Sequence, residues 1–145
     1  MKLLGLDPGQ TTGMCIYQDS SGYLGFVAKT PGQVLEHIYQ YGTTYDAVIV
    51  EDYNGQLISA DGLMTVRLIG GIEALCQVLN IYRVLQFPQE RYPHMAEAKT
   101  LVASFGPDTR HARDATAHVL LYQKRFLDNT VTLITKNRRK LGEGK

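Results

Sequence analysis

The order of apolar segments in this 145-residue chain predicts a single α/β domain built on a five-stranded mixed sheet with helices on both faces. Three strand-like segments come first, and helix-like and strand-like segments alternate after residue 31. The run Ala47-Val48-Ile49-Val50 is continuous and largely β-branched, which is typical of a central parallel strand buried on both faces. The hydrophobic fraction of 44% suits one domain with its own core and leaves little room for a second.

Turn residues and hydrophobic periodicity delimit the elements. The first strand ends at Asp7, because Pro8 fixes φ and Gly9 accepts a turn conformation. Pro31 and Gly32 open the first helix, which stops at Gly42. The other predicted elements are strands at 14–17, 23–29, 47–50 and 81–87, a long helix at about 59–79, a short helix at 95–105 and a final amphipathic helix at 112–127.

The charge is unevenly distributed although the formal net charge is only +1. From Lys124 to the end, seven basic residues face only Asp128 and Glu143, a balance of +5, so the preceding residues sum to −4. We therefore divide the chain into a domain at 1–130 and a basic C-terminal tail at 131–145. Such a tail either contacts phosphates or is simply a solvated chain end.

The chain shows neither an apolar run of about 18 residues nor a signal peptide, so we expect a cytoplasmic protein. Cys15 and Cys76 lack metal-ligand spacing and lie in apolar segments. We predict that both are buried free thiols.

The long helix from Ser59 to Leu79 is apolar on more than one face, so it must be covered on two sides. Gly70 and Gly71 lie in its middle, where each glycine costs about 1 kcal/mol relative to alanine. Either a homodimer contact or burial within a single domain explains this pattern.

Acidic residues follow two of the apolar strands. Asp7 ends the first strand and Glu51 ends the fourth, and the carboxyl ends of neighbouring parallel strands meet at one edge of a sheet. A charged group at such a place needs a metal, a phosphate or a cationic partner. Taken singly, each carboxylate is better explained by ordinary turn or surface chemistry, and only their combination favours a shared site.

The last helix can contribute to the same edge. His111, Asp114 and His118 are spaced at i, i+3 and i+7, which places them on one helix face with alanines between them. An oxygen-rich set of this kind favours Mg²⁺ or Mn²⁺ over structural zinc. His118, deeper in the helix, is predicted to be a satisfied core residue or a partner of a metal ligand.

These segments resemble a known set of motifs. The stretch Gly5-Leu6-Asp7-Pro8-Gly9 with Thr12-Gly13, the stretch Val48-Ile49-Val50-Glu51, and the stretch from His111 to Ala115 with His118 look like the three acidic motifs of RuvC-type Holliday junction resolvases, especially the phage-type members. These enzymes belong to the ribonuclease H-like superfamily. The resemblance extends in element order from residue 3 to about residue 123.

The resemblance implies a ribonuclease H-like fold and a homodimeric, Mg²⁺-dependent endonuclease that resolves four-way DNA junctions by two-metal phosphodiester hydrolysis, leaving a 5′-phosphate and a 3′-hydroxyl. Two Mg²⁺ ions per active site are implied, with Mn²⁺ able to substitute. Asp7 would bridge the two ions, Glu51 would bind one and Asp114 the other. His111 stands where the family carries aspartate or histidine, and it would bind a metal or orient the attacking water.

The resemblance also suggests DNA contacts. Tyr53 follows Glu51 where such enzymes can carry an aromatic residue that stacks into an opened junction, although a packing role is equally consistent with its position. The other candidate DNA-binding residues are basic: Arg91, Lys99, Arg113, Arg138 and Arg139.

Other functions share parts of this pattern. A related nuclease could act on other branched DNA or on RNA, and a relative that has lost catalysis could bind DNA structures without cutting. A sugar-kinase-like or actin-like ATPase also uses an Asp-x-Gly turn at phosphates. The length of the chain argues against that class, which needs two domains.

Overall fold

A computed structural model describes residues 1–55, 59–102 and 109–140, with side chains described as far as residue 130. Five strands and four α-helices succeed one another, with 3₁₀ helices at Gly42–Thr44 and Pro88–His94. The strands are β1 (Lys2–Asp7), β2 (Thr12–Gln18), β3 (Gly22–Ala28), β4 (Ala47–Glu51) and β5 (Arg83–Gln86). The helices are α1 (Pro31–Tyr41), α2 (Ala60–Val78), α3 (Met95–Leu101) and α4 (Thr109–Lys140).

The strands form one mixed sheet in the order β3-β2-β1-β4-β5. The first three strands are antiparallel neighbours, whereas β4 pairs in parallel with β1 and β5 pairs in parallel with β4. The predicted five-stranded mixed sheet is therefore confirmed, and β1 lies at its centre.

Alternation along the strands separates two apolar layers. Leu4, Leu6, Val48 and Val50 belong to a core that includes residues of α1 and α2. On the opposite face, a second core containing Leu3 and Ile49 includes Ala115 and Val119 of α4. The sheet is thus covered on both sides, as expected.

The two cysteines lie in different layers. Cys15 belongs to the core on the α4 side and Cys76 to the core on the α2 side. Both are buried free thiols, as predicted. Burial raises the pKa of Cys15 to about 11, which keeps this thiol protonated and unreactive.

Helix α4 approaches the sheet closely because two facing strand positions are glycines. A Cβ atom on Gly5 would lie 2.6 Å from both the carbonyl oxygen of Ala115 and Cγ2 of Val119. A Cβ on Gly13 would overlap the carbonyl group of His111. Because neither glycine has a side chain, the first turns of α4 can lie directly over β1 and β2.

Several element boundaries differ from the sequence prediction. The final helix runs to Lys140, well beyond the predicted end at 127, because its second half is too polar to show an apolar face yet contains neither proline nor glycine. The 3₁₀ helix Pro88–His94 was not predicted. Helix α3 begins as predicted at Met95 and is described to Leu101, and the rest of the predicted 95–105 helix lies outside the described residues.

Within the described parts of the chain, none of the helices combines the length and the apolar character that a membrane span requires.

The glycine contact can be tested by substitution. Gly13→Ala should destabilise the fold by about 1–3 kcal/mol, because a methyl group there must push α4 away from β2. Urea unfolding measures the change in the free energy of unfolding. Gly32→Ala is the matched control, since its Cβ would meet nothing closer than 3.9 Å, and it should be neutral or stabilising by up to about 1 kcal/mol. Equal effects of the two substitutions would contradict the proposed close approach.

Candidate functional site

The register of the parallel pair β1–β4 brings two carboxylates to the same edge of the sheet. Leu6 pairs with Val50, and Asp7 and Glu51 each follow by one residue. By alternation both side chains lie on the face that α4 covers. We call Asp7, Glu51, His111 and Asp114 the acidic edge.

Asp7 contacts His111 at the start of α4. The Nδ1 atom of His111 lies 3.1 Å from Oδ2 of Asp7. This hydrogen bond raises the pKa of His111 above its ordinary value, because the carboxylate stabilises the imidazolium. Since only a neutral imidazole can bind a metal, a cation at this place would have to displace the proton, and its binding would strengthen as the pH rises.

Asp7, His111 and Asp114 form a group that could hold a metal ion. One ligand atom from each of the three lies within 4.8 Å of the others. Two carboxylate oxygens and an imidazole nitrogen are suitable donors for a hard divalent cation, which would complete its coordination with water or substrate oxygens. The donor set therefore fits Mg²⁺ or Mn²⁺.

Glu51 is held by two cationic or proton-donating partners. His118 Nε2 lies 2.8 Å from Oε2 of Glu51, and Arg91 Nη1 lies 3.0 Å from the same oxygen. The side chain of His118 is completely buried, whereas that of Glu51 is 14% exposed. Glu51 is thus oriented from the core side by histidine and from the opening by arginine.

A buried glutamine completes this arrangement. Gln86 pairs with Glu51 across β4 and β5, and its Oε1 lies 2.7 Å from Nδ1 of His118. Among the described residues, Nε2 of Gln86 is the one buried side-chain nitrogen or oxygen without a hydrogen-bond partner. An amide rotated by 180° would donate to Nδ1 and allow a neutral His118 to donate to Glu51.

Asp114 is buried beside the guanidinium of Arg91. Burial raises its pKa, an effect that the neighbouring Arg91 guanidinium opposes and that the charges of Asp7 and Glu51 reinforce. Arg91 Nε lies 3.3 Å from Oδ1 of Asp114. Arg91 therefore bridges carboxylates from two different elements, β4 and α4.

A cleft of about 480 Å³ opens beside Glu51. It lies between the segment after β4 and the 3₁₀ helix 88–94, which Asn54 and Gln89 connect through a side-chain hydrogen bond of 3.2 Å. Tyr53 is half-buried and packs against the α2-side core, and its ring would meet a Cβ on Gly62. The cleft is lined by Pro8, Glu51, Asp52, Tyr53, Asn54, Gly55, Thr65, Pro88, Gln89 and Tyr92.

The structure distributes the remaining predicted DNA-binding residues over several places. Arg91 lies beside the acidic edge, where it contacts Glu51 and Asp114. Lys99 is exposed on α3. Arg113 is half-buried and donates from Nε to the carbonyl oxygen of Val102 at 3.3 Å. The side chains of Arg138 and Arg139 lie outside the described residues.

The sequence predicts a shared site for four residues, and all four lie at one edge of the sheet: Asp7, Glu51, His111 and Asp114. Sequence reasoning missed Gln86, and it assigned Arg91 a phosphate contact without noticing the two carboxylates. Gln86 ends β5 and Arg91 follows five residues later, and β5 lies next to β4, so their place after a parallel strand could have indicated the site.

The strand order and the helical cover on both faces of the sheet match the ribonuclease H-like fold of solved RuvC structures. Thermus thermophilus RuvC in complex with a Holliday junction substrate has a TM-score of 0.67 at 17% identity over 83% of this chain and 91% of that chain. A second Thermus thermophilus RuvC structure gives a TM-score of 0.63 at 16% identity, over 83% and 92% of the two chains. The resemblance predicted from the sequence is thereby confirmed for the fold.

A viral protein shares this architecture. The Fowlpox virus resolvase, in complex with its substrate Holliday junction DNA, has a TM-score of 0.58 at 13% identity over 88% of this chain and 99% of that chain. By sequence, the chain matches no protein-family model and no curated protein. The likeness is one of fold.

The His118–Gln86 contact can be tested with a double-mutant cycle. His118→Leu should destabilise the protein by about 1–3 kcal/mol, because it leaves Gln86 unpaired and removes a partner of Glu51. Combining it with Gln86→Leu should cost less than the sum of the single changes, with a coupling of about 0.5–3 kcal/mol. Urea unfolding of the four proteins gives the coupling, and strict additivity would argue against a shared hydrogen bond.

Proposed function

We propose that this protein is a Mg²⁺-dependent, structure-selective endonuclease that cleaves branched DNA, with the four-way junction as its main substrate and crossover junction endodeoxyribonuclease activity as its reaction. The observation that carries the proposal is the convergence of Asp7, Glu51, His111 and Asp114 at one sheet edge. The fold supports it, because two of its structural neighbours are resolvases in complex with Holliday junction DNA.

The residues of the acidic edge have distinct roles in this proposal. Asp7, Glu51 and Asp114 would hold the metal ions, with Asp7 serving both, and His111 would bind a metal or orient the attacking water. Two bound Mg²⁺ ions would supply Lewis-acid chemistry, by lowering the pKa of water and stabilising charge on the phosphodiester. His118 and Gln86 hold the Glu51 carboxylate from the buried side.

DNA would bind across the open side of this edge. We assign phosphate contacts to Arg91, Lys99, Arg113, Arg138 and Arg139, and a contact with DNA bases to Tyr53. Tyr53 lines the cleft next to Glu51, so its ring lies beside the position where cleavage would occur. Phosphate contacts of this kind provide affinity, whereas the shape of the junction provides selectivity.

We further propose a homodimer that contacts through the surface of α2, because paired cuts in a junction need two active sites related by a twofold axis. Helices α1 and α2 form an apolar groove of about 620 Å³. Tyr39 and Val78 of this groove are 69% and 81% exposed in the single chain. The groove is lined by Leu35, Glu36, Tyr39, Gly71, Ala74, Leu75 and Val78.

The catalytic assignment is tested with Asp7→Asn. This variant should lose cleavage of a synthetic four-way junction by about 10³-fold, because an amide replaces a carboxylate that would hold the metal ions. Junction binding in Ca²⁺, measured by gel shift, should be largely retained, since other contacts provide it. Asp46→Asn, at the opposite end of β4, is the control and should cleave normally.

The same assay includes linear duplex, flap and RNA junction substrates with Mg²⁺. Preferential cleavage of the four-way DNA junction supports the proposal. Junction binding by the wild-type protein without cleavage would instead indicate a non-catalytic DNA-structure-binding protein. Full cleavage by Asp7→Asn would remove Asp7 from the mechanism.

The proposed dimer contact is tested by substituting leucines for Gly70 and Gly71. A Cβ at Gly71 would lie in ordinary contact with the methyl carbons of Leu35, at 3.6 and 3.7 Å, so a leucine there adds bulk to the groove, while Gly70 faces open space. Light scattering should then report the 16.2 kDa monomer instead of a dimer. Val78→Glu, which charges the groove without crowding α1, should give the same result. Leu24→Glu, on exposed β3, is the control, and an unchanged dimer mass in both test variants would contradict this interface.

A further inference from the structure

Arg91 has an unusual position for a DNA-binding residue. Its side chain is only 16% exposed, and its guanidinium makes three polar contacts within the protein. Nη1 lies 3.0 Å from Glu51 and 2.9 Å from the carbonyl oxygen of Pro88, and Nε lies 3.3 Å from Asp114. A guanidinium with three polar partners inside the protein has a structural role in addition to any contact with a phosphate.

The contacts of Arg91 coincide with the places where metal ligands are expected. Glu51 and Asp114 are carboxylates from β4 and α4 that would repel each other without a cation between them. In the described structure the guanidinium supplies that positive charge. The group of three ligands that could hold a metal consists of Asp7, His111 and Asp114, and it does not include Glu51, whose Oε2 is shared by Arg91 and His118.

We propose that Arg91 is a resident counter-ion of the acidic edge, which holds Glu51 and Asp114 together in the metal-free protein and competes with the divalent cation for them. This inference rests on the proposed function, because it concerns the metal site of that function. Loading the site requires Arg91 to give up its contact with Glu51.

The surroundings leave room for this exchange. The Arg91 guanidinium carbon lies 5.4 Å from the ring centroid of Tyr92, and Tyr92 lines the cleft that also includes Glu51. A guanidinium that leaves the carboxylates can therefore remain close to an aromatic face, where a cation is stabilised. The same cleft is open to substrate, so the released charge stays beside the proposed scissile phosphate.

If Arg91 competes with a metal ion for the carboxylates, its removal should change the affinity for metal, which a purely structural role does not predict. Removing the guanidinium should weaken the metal-free fold yet strengthen metal binding, because Glu51 and Asp114 then lose the positive charge that competes with a metal cation for them. Loss of packing alone would lower stability without improving the affinity for a metal.

The experiment measures Mn²⁺ binding to the full-length protein in the absence of DNA, by calorimetry or by electron paramagnetic resonance of free Mn²⁺. Arg91→Gln should bind Mn²⁺ on the order of tenfold more tightly than the wild type, equivalent to about 1.4 kcal/mol. Arg91→Lys keeps the charge but loses the two-pronged geometry, so its affinity should lie between the two.

The matched control is Arg125→Gln. Arg125 pairs at 2.6 Å with Glu90, which lies on the same 3₁₀ helix as Arg91, but this ion pair does not involve the acidic edge. This variant should bind Mn²⁺ as the wild type does. In thermal unfolding, the deficit of Arg91→Gln relative to the wild type should shrink as Mn²⁺ is added, whereas any deficit of Arg125→Gln should not change.

Unchanged or weaker Mn²⁺ binding by Arg91→Gln would overturn the inference. Junction cleavage by the wild type, measured on the same preparation, separates this failure from that of the proposed function. If the wild type cleaves the junction but Arg91→Gln does not change the affinity for Mn²⁺, only the counter-ion role is refuted. Absence of Mn²⁺ binding in every variant would also refute the counter-ion role, whereas absence of junction cleavage by the wild type would refute the proposed function.

Discussion

The parallel pairing of β1 with β4 is the constraint on which the rest of the site depends. It sets Leu6 beside Val50 and so carries Asp7 and Glu51 to the same height on the same face. A shift of one residue in this register would turn one of the two carboxylates into the apolar layer under α1 and α2. The buried Leu, Ile and Val side chains of both strands specify the register, so the stability of the core and the geometry of the site have one origin.

Helix α4 adds the remaining groups at the cost of a tight contact. His111, Asp114 and His118 occupy successive turns of the face that packs on the sheet, and Gly5 and Gly13 allow that packing. As a result, several ionisable side chains lie close together and are partly buried. The protein balances it internally, by pairing Asp7 with His111, Glu51 with His118 and Arg91, and Asp114 with Arg91.

The sheet and the four residues of the acidic edge could be predicted from the sequence because both leave local signals. Apolar strands that end in Asp7 and Glu51 are visible as patterns, and the i, i+3, i+7 spacing on α4 identifies a helix face. The neighbourhood of β1 and β4 was an assumption that the sheet order confirms. Whether Tyr53 or the basic residues contact DNA stays a prediction.

What the sequence could not supply are contacts between elements distant in the chain. Gln86 reads as an ordinary polar residue at a strand end, and its meeting with His118, 32 residues later, depends on how α4 crosses the sheet. Arg91 lies in a 3₁₀ helix that has no periodic signature. The C-terminal half of α4 was missed because its polar sequence shows no apolar face, which is the feature used to predict helices.

The length of α4 sets a distance scale for the molecule. At about 1.5 Å per residue, the 24 residues from Asp114 to Arg138 correspond to roughly 36 Å along the helix axis. One turn of duplex DNA spans a similar length, about 34–36 Å. Asp114 lies near one end of this helix, and the basic sequence lies near the other. A nucleic acid that touched both ends at once would have to run alongside it for about one full duplex turn.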